Sequence, residues 1–249
     1  NMFLHGIEEF RIIRGDTLAN PAFIENDTLK KFNVILANPP YSIKSWDQKA
    51  FKSDNYGRNI WGTPPQGCAD YAFQQHIQKS LNLSNGRSIS LWPHGVLFRE
   101  QEADMRVKMI KDDLVECVIG LGPNLFYNSP MEACLLITKT NKSANKKGKI
   151  LIINALKEVK QDKNIAFLEK NHINKIFNSY KRFDDIEGFS KLVSSEAVLE
   201  NKGSLNVAQY VSNVDVSIEQ VSIDEALVNF KGQSEKLKQS MIQLFETFN

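Results

Sequence analysis

The residue types best suited to chemistry stand together at Asn38-Pro39-Pro40-Tyr41, directly after the apolar run of residues 32–37. Two consecutive prolines fix φ and remove two backbone donors, so the local carbonyls are rigidly aimed. The Asn38 side-chain oxygen and the Pro39 carbonyl then form a pair of close acceptors. Such a pair suits a planar exocyclic NH₂. As that nitrogen attacks an electrophile it becomes positive, and acceptors aimed at it stabilise the developing charge. Tyr41 offers a ring face on which a flat substrate can stack. No strong base is required, because the product cation can lose its proton to solvent. The plain alternative is a strand stop, since Asn-Pro and Pro-Pro are common loop dipeptides.

The elements that must position this tetrapeptide follow from hydrophobic spacing. Residues 11–14 read as a short strand ending in Gly15-Asp16, and residues 32–37 as a buried strand with a loop at its carboxyl end. Residues 42–67 form a long loop with Trp46 and Trp61, which could touch a ligand or cover the site. Helical spacing covers residues 69–83 and 99–111. Strands are predicted at 87–92, 114–119, 133–138 and 149–153, the last two joined by a Lys/Asn/Ser hairpin loop. Alternation of strands with helices, followed by antiparallel pairing, argues for an open α/β sheet with an antiparallel edge. After about residue 155 the pattern turns mostly helical, with helices expected at 171–183, 217–230 and 234–248. Leu237, Met241, Leu244 and Phe245 share one stripe of the last.

Composition narrows the class. The chain has 249 residues, of which 42% are hydrophobic and 24% charged, close to the globular average, which excludes wholesale disorder and fibrous repeats. No apolar run approaches the ~18 residues of a membrane span. Cys68, Cys117 and Cys134 are far apart and form no C-x-x-C, so the expected setting is a reducing cytoplasm. The net charge of +2 is too weak to argue for nucleic acid on its own. The four histidines (His5, His76, His94, His172) lack ligand spacing, and no metal is expected. Lys139, Lys142, Lys146, Lys147 and Lys149 make a basic loop with two readings, solvated surface or contact with nucleic-acid phosphates.

Six ordered blocks surround the tetrapeptide: Asn1-Met2-Phe3-Leu4-His5-Gly6, Gly15-Asp16-Thr17-Leu18, Asn33-Val34-Ile35-Leu36-Ala37-Asn38-Pro39-Pro40-Tyr41, Asp70-Tyr71-Ala72-Phe73, Pro93-His94-Gly95-Val96-Leu97-Phe98-Arg99 and Asn124-Leu125-Phe126-Tyr127-Asn128-Ser129-Pro130. With them the chain resembles the modification (M) subunit of type I restriction–modification systems, an adenine-N6 DNA methyltransferase using S-adenosylmethionine. The resemblance covers residues 1–155 well and the remainder weakly. It implies a Rossmann-like methyltransferase sheet, truncated, over residues 1–155, and a mostly helical assembly region over residues 156–249.

The resemblance also implies roles. Asn38, Pro39, Pro40 and Tyr41 would hold a flipped-out adenine of double-stranded DNA. Phe126, or Tyr127 beside it, would be a second aromatic against that base. Asp16, with Thr17 beside it, would contact the cofactor, as would Asn38 and Pro39, and Asp70 and Phe73 would pack nearby. Expected partners are the specificity (S) and restriction (R) subunits, with no membrane. The family's Gly-rich turn is not found: Gly120-Leu121-Gly122 has Pro123 next and Leu125 where the third glycine belongs. The chain also opens on Asn1 rather than methionine. The expectation is therefore a piece of a longer protein that binds the cofactor weakly or not at all. Two other readings are a methyltransferase for an RNA base or a protein glutamine, and a non-catalytic assembly module.

Overall fold

The computed structural model describes residues 2–126, 130–162, 165–212 and 223–246. Its centre is a six-stranded mixed sheet in the order β10-β7-β5-β6-β4-β3. The strands are β3 (Val34–Ala37), β4 (Arg87–Pro93), β5 (Val115–Leu121), β6 (Ala133–Lys139), β7 (Lys149–Ala155) and β10 (Ser190–Ser194). Two small hairpins, β1 (Ile24–Glu25) with β2 (Thr28–Leu29) and β8 (Lys160–Asp162) with β9 (Ile165–Phe167), lie outside it. The helices are α1 (Gln48–Lys52), α2 (Asp70–Lys79), α3 (Ala103–Lys111), α4 (Lys170–Arg182), α5 (Ser195–Glu200), α6 (Val207–Tyr210) and α7 (Ile223–Glu246). Among the described residues no helix is long and apolar enough to cross a membrane.

The central strands read as continuous apolar runs because both faces are covered. Along β7, Ile150 and Ile152 belong to one core cluster with Trp92, Met105 and Met109, while Leu151 and Ile153 belong to the other with Ile176 and Phe183. Helices α2, α3 and α5 supply the first layer and α4 the second. Trp92 is fully buried, and its indole N–H is satisfied by Ser90 Oγ at 2.8 Å and Gln74 Oε1 at 3.1 Å.

Several expectations need correction. Residues 11–14 form no strand. The run 32–37 forms an edge strand instead of a buried one. β3 pairs with β4 alone, in parallel, and Val34 and Leu36 remain 50% and 74% exposed. Only Ile35 and Ala37 pack against the core. Strands β6 and β7 do not form a hairpin either, because β5 lies between them, antiparallel to β6 and parallel to β7. Their connection is pinned across the start of β5. Lys142 Nζ donates to Asp113 Oδ1 at 2.6 Å, the Gly148 amide donates to the same carboxylate, and Lys146 pairs with Glu116 at 3.5 Å. Lys142 and Lys146 are thus internal braces, which removes two of the five lysines from the expected basic surface. The antiparallel edge itself is present, as β10 against β7.

Residues Asn1–Asn213 form one compact unit and Val214–Asn249 a second. The change of character expected after residue 155 does not divide the contacts, because β10 completes the sheet. In the second unit α7 is a single helix where two were expected, and residues 213–222 lie outside the described set. Leu227, Phe230, Leu237 and Met241 are exposed along it. The side chains of Leu244, Phe245 and Phe248 are outside the described set as well.

Candidate functional site

The tetrapeptide lies where the sheet runs out. β3 ends at Ala37, and Asn38, Pro39, Pro40 and Tyr41 line a cavity of about 490 Å³ together with Phe126, Met131 and Ala133. In open α/β sheets the carboxyl ends of strands are where ligands bind. Asn38 and Pro40 are exposed, Pro39 is buried and Tyr41 is half-buried. The Tyr41 hydroxyl donates to Asn38 Oδ1 at 2.9 Å. The acceptor that the chemistry needs is therefore held by the ring that would stack on the substrate. Burial first, with the neighbouring Cys134 and Asp70 after it, raises the Tyr41 pKa, so the hydroxyl stays a donor. Phe126 comes into the same cavity from the segment after β5, 85 residues along the chain, while Tyr127 lies outside the described residues.

Behind the motif sits a buried charge cluster at the start of α2. Asp70 Oδ1 accepts from the Ser42 amide at 2.7 Å. Its other oxygen takes the Arg99 guanidinium, and Arg99 Nε donates to Glu102 Oε2 at 2.8 Å. Cys68 Sγ donates to Asp70 at 3.1 Å, and burial pushes its thiol up to about 12. Ligand atoms of Cys68, Asp70 and Glu102 lie within 4.8 Å of one another, but Arg99 already supplies a positive charge to both carboxylates. Asp70 is thus an anchor for the motif loop rather than a side chain lining the site cavity. Phe73 packs on the core, the simpler of its two readings.

Asp16 and Thr17 are not part of the motif cavity. Gly15 and Thr17 line a separate groove of about 350 Å³ along β3, whose walls include Phe23, Val34, Ile35 and His76. Asp16, between them, is exposed and caps its own turn, with Oδ1 accepting from the Leu18 and Ala19 amides at 2.9 and 3.0 Å. Its second oxygen takes no part in that turn. Arg58, buried in the long loop, braces the same turn. It donates to the Thr17 and Leu18 carbonyls at 2.9 and 2.8 Å while paired to Asp54 at 2.6 Å. Burial, then the Arg58 charge, lowers the His76 pKa to about 4, so His76 stays neutral there. The groove is lined mainly by apolar side chains, and Asp16 is not among its lining residues.

Sequence reasoning missed Arg58, Arg99 and Glu102. Arg99 closes the block Pro93-His94-Gly95-Val96-Leu97-Phe98-Arg99, yet nothing local marks a partner 29 residues away. Trp61, expected in a loop that touches or covers the site, is core. It is 2% exposed, and its indole donates to Asp112 Oδ2 at 2.8 Å. Trp46 is half-buried, edge-on to Phe51, and donates to the Gln66 carbonyl.

Comparison with known proteins gives consistent matches. The N-6 DNA Methylase family model matches residues 1–219. The methylase subunit of the type I restriction enzyme MjaVIII from Methanocaldococcus jannaschii is 34% identical over 86% of this chain and 39% of its own length. The MpnII methylase subunit from Mycoplasma pneumoniae is 30% identical over 96% of this chain and 46% of its own. The solved methyltransferase subunit of a type I restriction-modification system from Streptococcus thermophilus superposes with a TM-score of 0.77 at 34% identity. That match covers 85% of this chain and 45% of the other. The chain spans about two fifths to a half of the length of the curated relatives it matches.

Proposed function

Given that the chain belongs to the N-6 DNA methylase family, we propose that it is the target-holding portion of a type I modification subunit that methylates N6 of adenine in double-stranded DNA. The observation that carries this reading is the convergence of Asn38, Pro39, Pro40, Tyr41 and Phe126 on one cavity at the carboxyl end of β3. An adenine rotated out of the duplex would lie against Tyr41 and Phe126, and its stacking there offsets part of the few kcal/mol of unstacking. Its amino group would donate to Asn38 Oδ1 and the Pro39 carbonyl. Asn38 Oδ1 already accepts from Tyr41 and has a second lone pair, so the base amino group would donate to it beside the Tyr41 hydroxyl. As the amino nitrogen gains positive charge, both acceptors strengthen their hold, which favours the transition state over the ground state.

The electrophile in this reading is S-adenosylmethionine, which supplies a methyl group on a sulfonium when bound. Asp16 and Thr17 would hold its adenine end in the groove beside β3, within a turn that Arg58 braces. The edge of β3 is open and apolar, an arrangement that proteins rarely leave uncovered. In the full-length subunit we assign that edge to a further strand of the same chain, from the part of the family's length that lies outside these residues.

Radiolabelled methyl transfer by the full-length subunit, in complex with its partners, tests the reading. Label is expected in DNA, as N6-methyladenine by mass spectrometry of the digested product. Label in RNA or on a protein glutamine would instead support the other NH₂ targets.

The partner surface is assigned to α7. Leu227, Phe230, Leu237 and Met241 fall at 3- and 4-residue intervals allowing for Ser234, the spacing of a two-helix seam. Lys231 and Lys238 flank it, which favours a partner helix with acidic flanks; in this reading the partner is the specificity subunit. The pair L237E/M241E is expected to weaken co-purification with that subunit at least ten-fold and to leave the melting of the first unit unchanged. Full retention of the subunit would remove this surface from the proposal.

A further inference from the structure

We propose that Asp70 is a positioning residue for the target-holding loop: braced by Arg99, it takes the Ser42 amide and so holds the left-handed turn that immediately follows Tyr41. This inference rests on the reading of the tetrapeptide given above and concerns how that tetrapeptide is aimed.

The argument begins with backbone geometry. Ser42 has φ +49°, a region that L side chains adopt rarely, because Cβ crowds the following carbonyl. Such a conformation persists only where surrounding contacts over-determine it. Ser42 itself is exposed, so packing does not hold it. The contacts it does make are to the buried cluster: its amide donates to Asp70 Oδ1 at 2.7 Å, and its hydroxyl oxygen accepts from Arg99 at 3.4 Å. Asp70 is 0% exposed and leads α2, which is packed into the core through Tyr71, Ala72 and Ile77. The loop that carries Asn38 and Tyr41 is thereby tied, one residue after the ring, to the buried first turn of α2.

The charge arrangement suits a carboxylate alone. One Asp70 oxygen faces the Ser42 N–H; the other faces the Arg99 guanidinium and the Cys68 thiol. An asparagine has one oxygen, so its NH₂ would have to point at a donor whichever way it is turned. Arg99 in turn is held by Glu102, which is 0% exposed. Removal of the Asp70 charge therefore disturbs the turn while α2 stays in place.

The test uses the full-length subunit with Asp70→Asn, Ser42→Pro and the double variant Asp70→Asn/Ser42→Gly. D70N is expected to lower kcat at least 30-fold, with KM for S-adenosylmethionine within two-fold of wild type. S42P deletes the donor and cannot take positive φ, and it should lose rate to a similar degree while the charge cluster remains intact. Addition of S42G to D70N should recover at least ten-fold of the loss, because glycine takes positive φ without a carboxylate to hold it there. A purely structural charge cluster would not respond to the residue at position 42. Hydrogen exchange on the full-length subunit gives a readout independent of activity: the Ser42 amide should exchange at least ten-fold faster in D70N than in wild type. If the wild-type subunit methylates but D70N keeps its rate, or if the double variant is as slow as D70N, the inference fails. Unchanged exchange at Ser42 would overturn it too. A wild-type subunit that methylates nothing would instead overturn the proposed function, and the exchange experiment would still judge the Asp70 contact.

Discussion

Replacement of Asn38 by alanine in the full-length subunit is expected to reduce methyl transfer by about 10²–10³-fold, the usual loss when one aimed polar partner of a developing charge is removed. The loss should fall on kcat. In the proposed reading, DNA would be held by many contacts, whereas Asn38 Oδ1 would meet the one atom that changes charge. Stability should move little, within about 0.5 kcal/mol, because the Asn38 side chain is exposed and its hydrogen bond is to Tyr41, another group of the site. The Tyr41 variants divide that residue's contribution. Tyr41→Phe keeps the ring and frees Asn38 Oδ1 from its 2.9 Å partner, so its rate is expected within a few-fold of wild type. Tyr41→Ala loses the stacking surface, about 1–3 kcal/mol per base, and should weaken extrusion of the adenine by about 10–100-fold. Single-turnover kinetics with a fluorescent base analogue at the target position would separate the two steps. An N38A subunit that keeps a tenth of the wild-type rate would remove the acceptor pair from the mechanism.

The second large effect concerns the cofactor. The 249-residue chain on its own is expected to bind S-adenosylmethionine about a thousand-fold more weakly than the full-length subunit, a difference of about 4 kcal/mol. Pockets that hold such ligands well bury most of their surface. Here the groove beside Gly15 and Thr17 runs along the open edge of β3, where Val34 and Leu36 are exposed. A ligand laid in it would be covered on one side only. In the proposed reading Asp16 and Thr17 would meet only the adenine end, and the methionine end would have to find its partners beyond this groove. Titration calorimetry at micromolar cofactor should therefore register no binding to this chain. A micromolar dissociation constant would show that the described groove is already sufficient, and that the open edge has no part in cofactor binding.

Much of the fold was legible because its strongest signals are local. The strands β4 to β7 are apolar runs with both faces covered, and runs of that kind announce themselves in sequence. Their order did not follow. The basic connection between β6 and β7 reads as a hairpin loop, whereas the strand pairing puts β5 between them and the Asp113–Lys142 pair and the Gly148 amide hold the connection across its start. β3 reads as buried because composition reports the affinity of Val34 and Leu36 for a cover and says nothing of whether the cover is present. Trp61 and the long loop show the same limit, since an aromatic in an aperiodic segment carries no mark of the core it enters.

By itself the sequence placed Asn38, two prolines and the Tyr41 ring together just after a strand, and the chemistry proposed above rests on those four neighbouring residues. Tertiary structure alone decided what aims them. Phe126 reaches the cavity from a distant segment. Asp70, Arg99 and Glu102 gather behind Ser42, and Arg58 grips the turn at Thr17 and Leu18. Each of these is a polar or aromatic residue of ordinary type, and its meaning lies in which partner stands opposite. Such partners are chosen by the packing of the sheet and its helices, a property of the whole chain that no window of neighbouring residues contains.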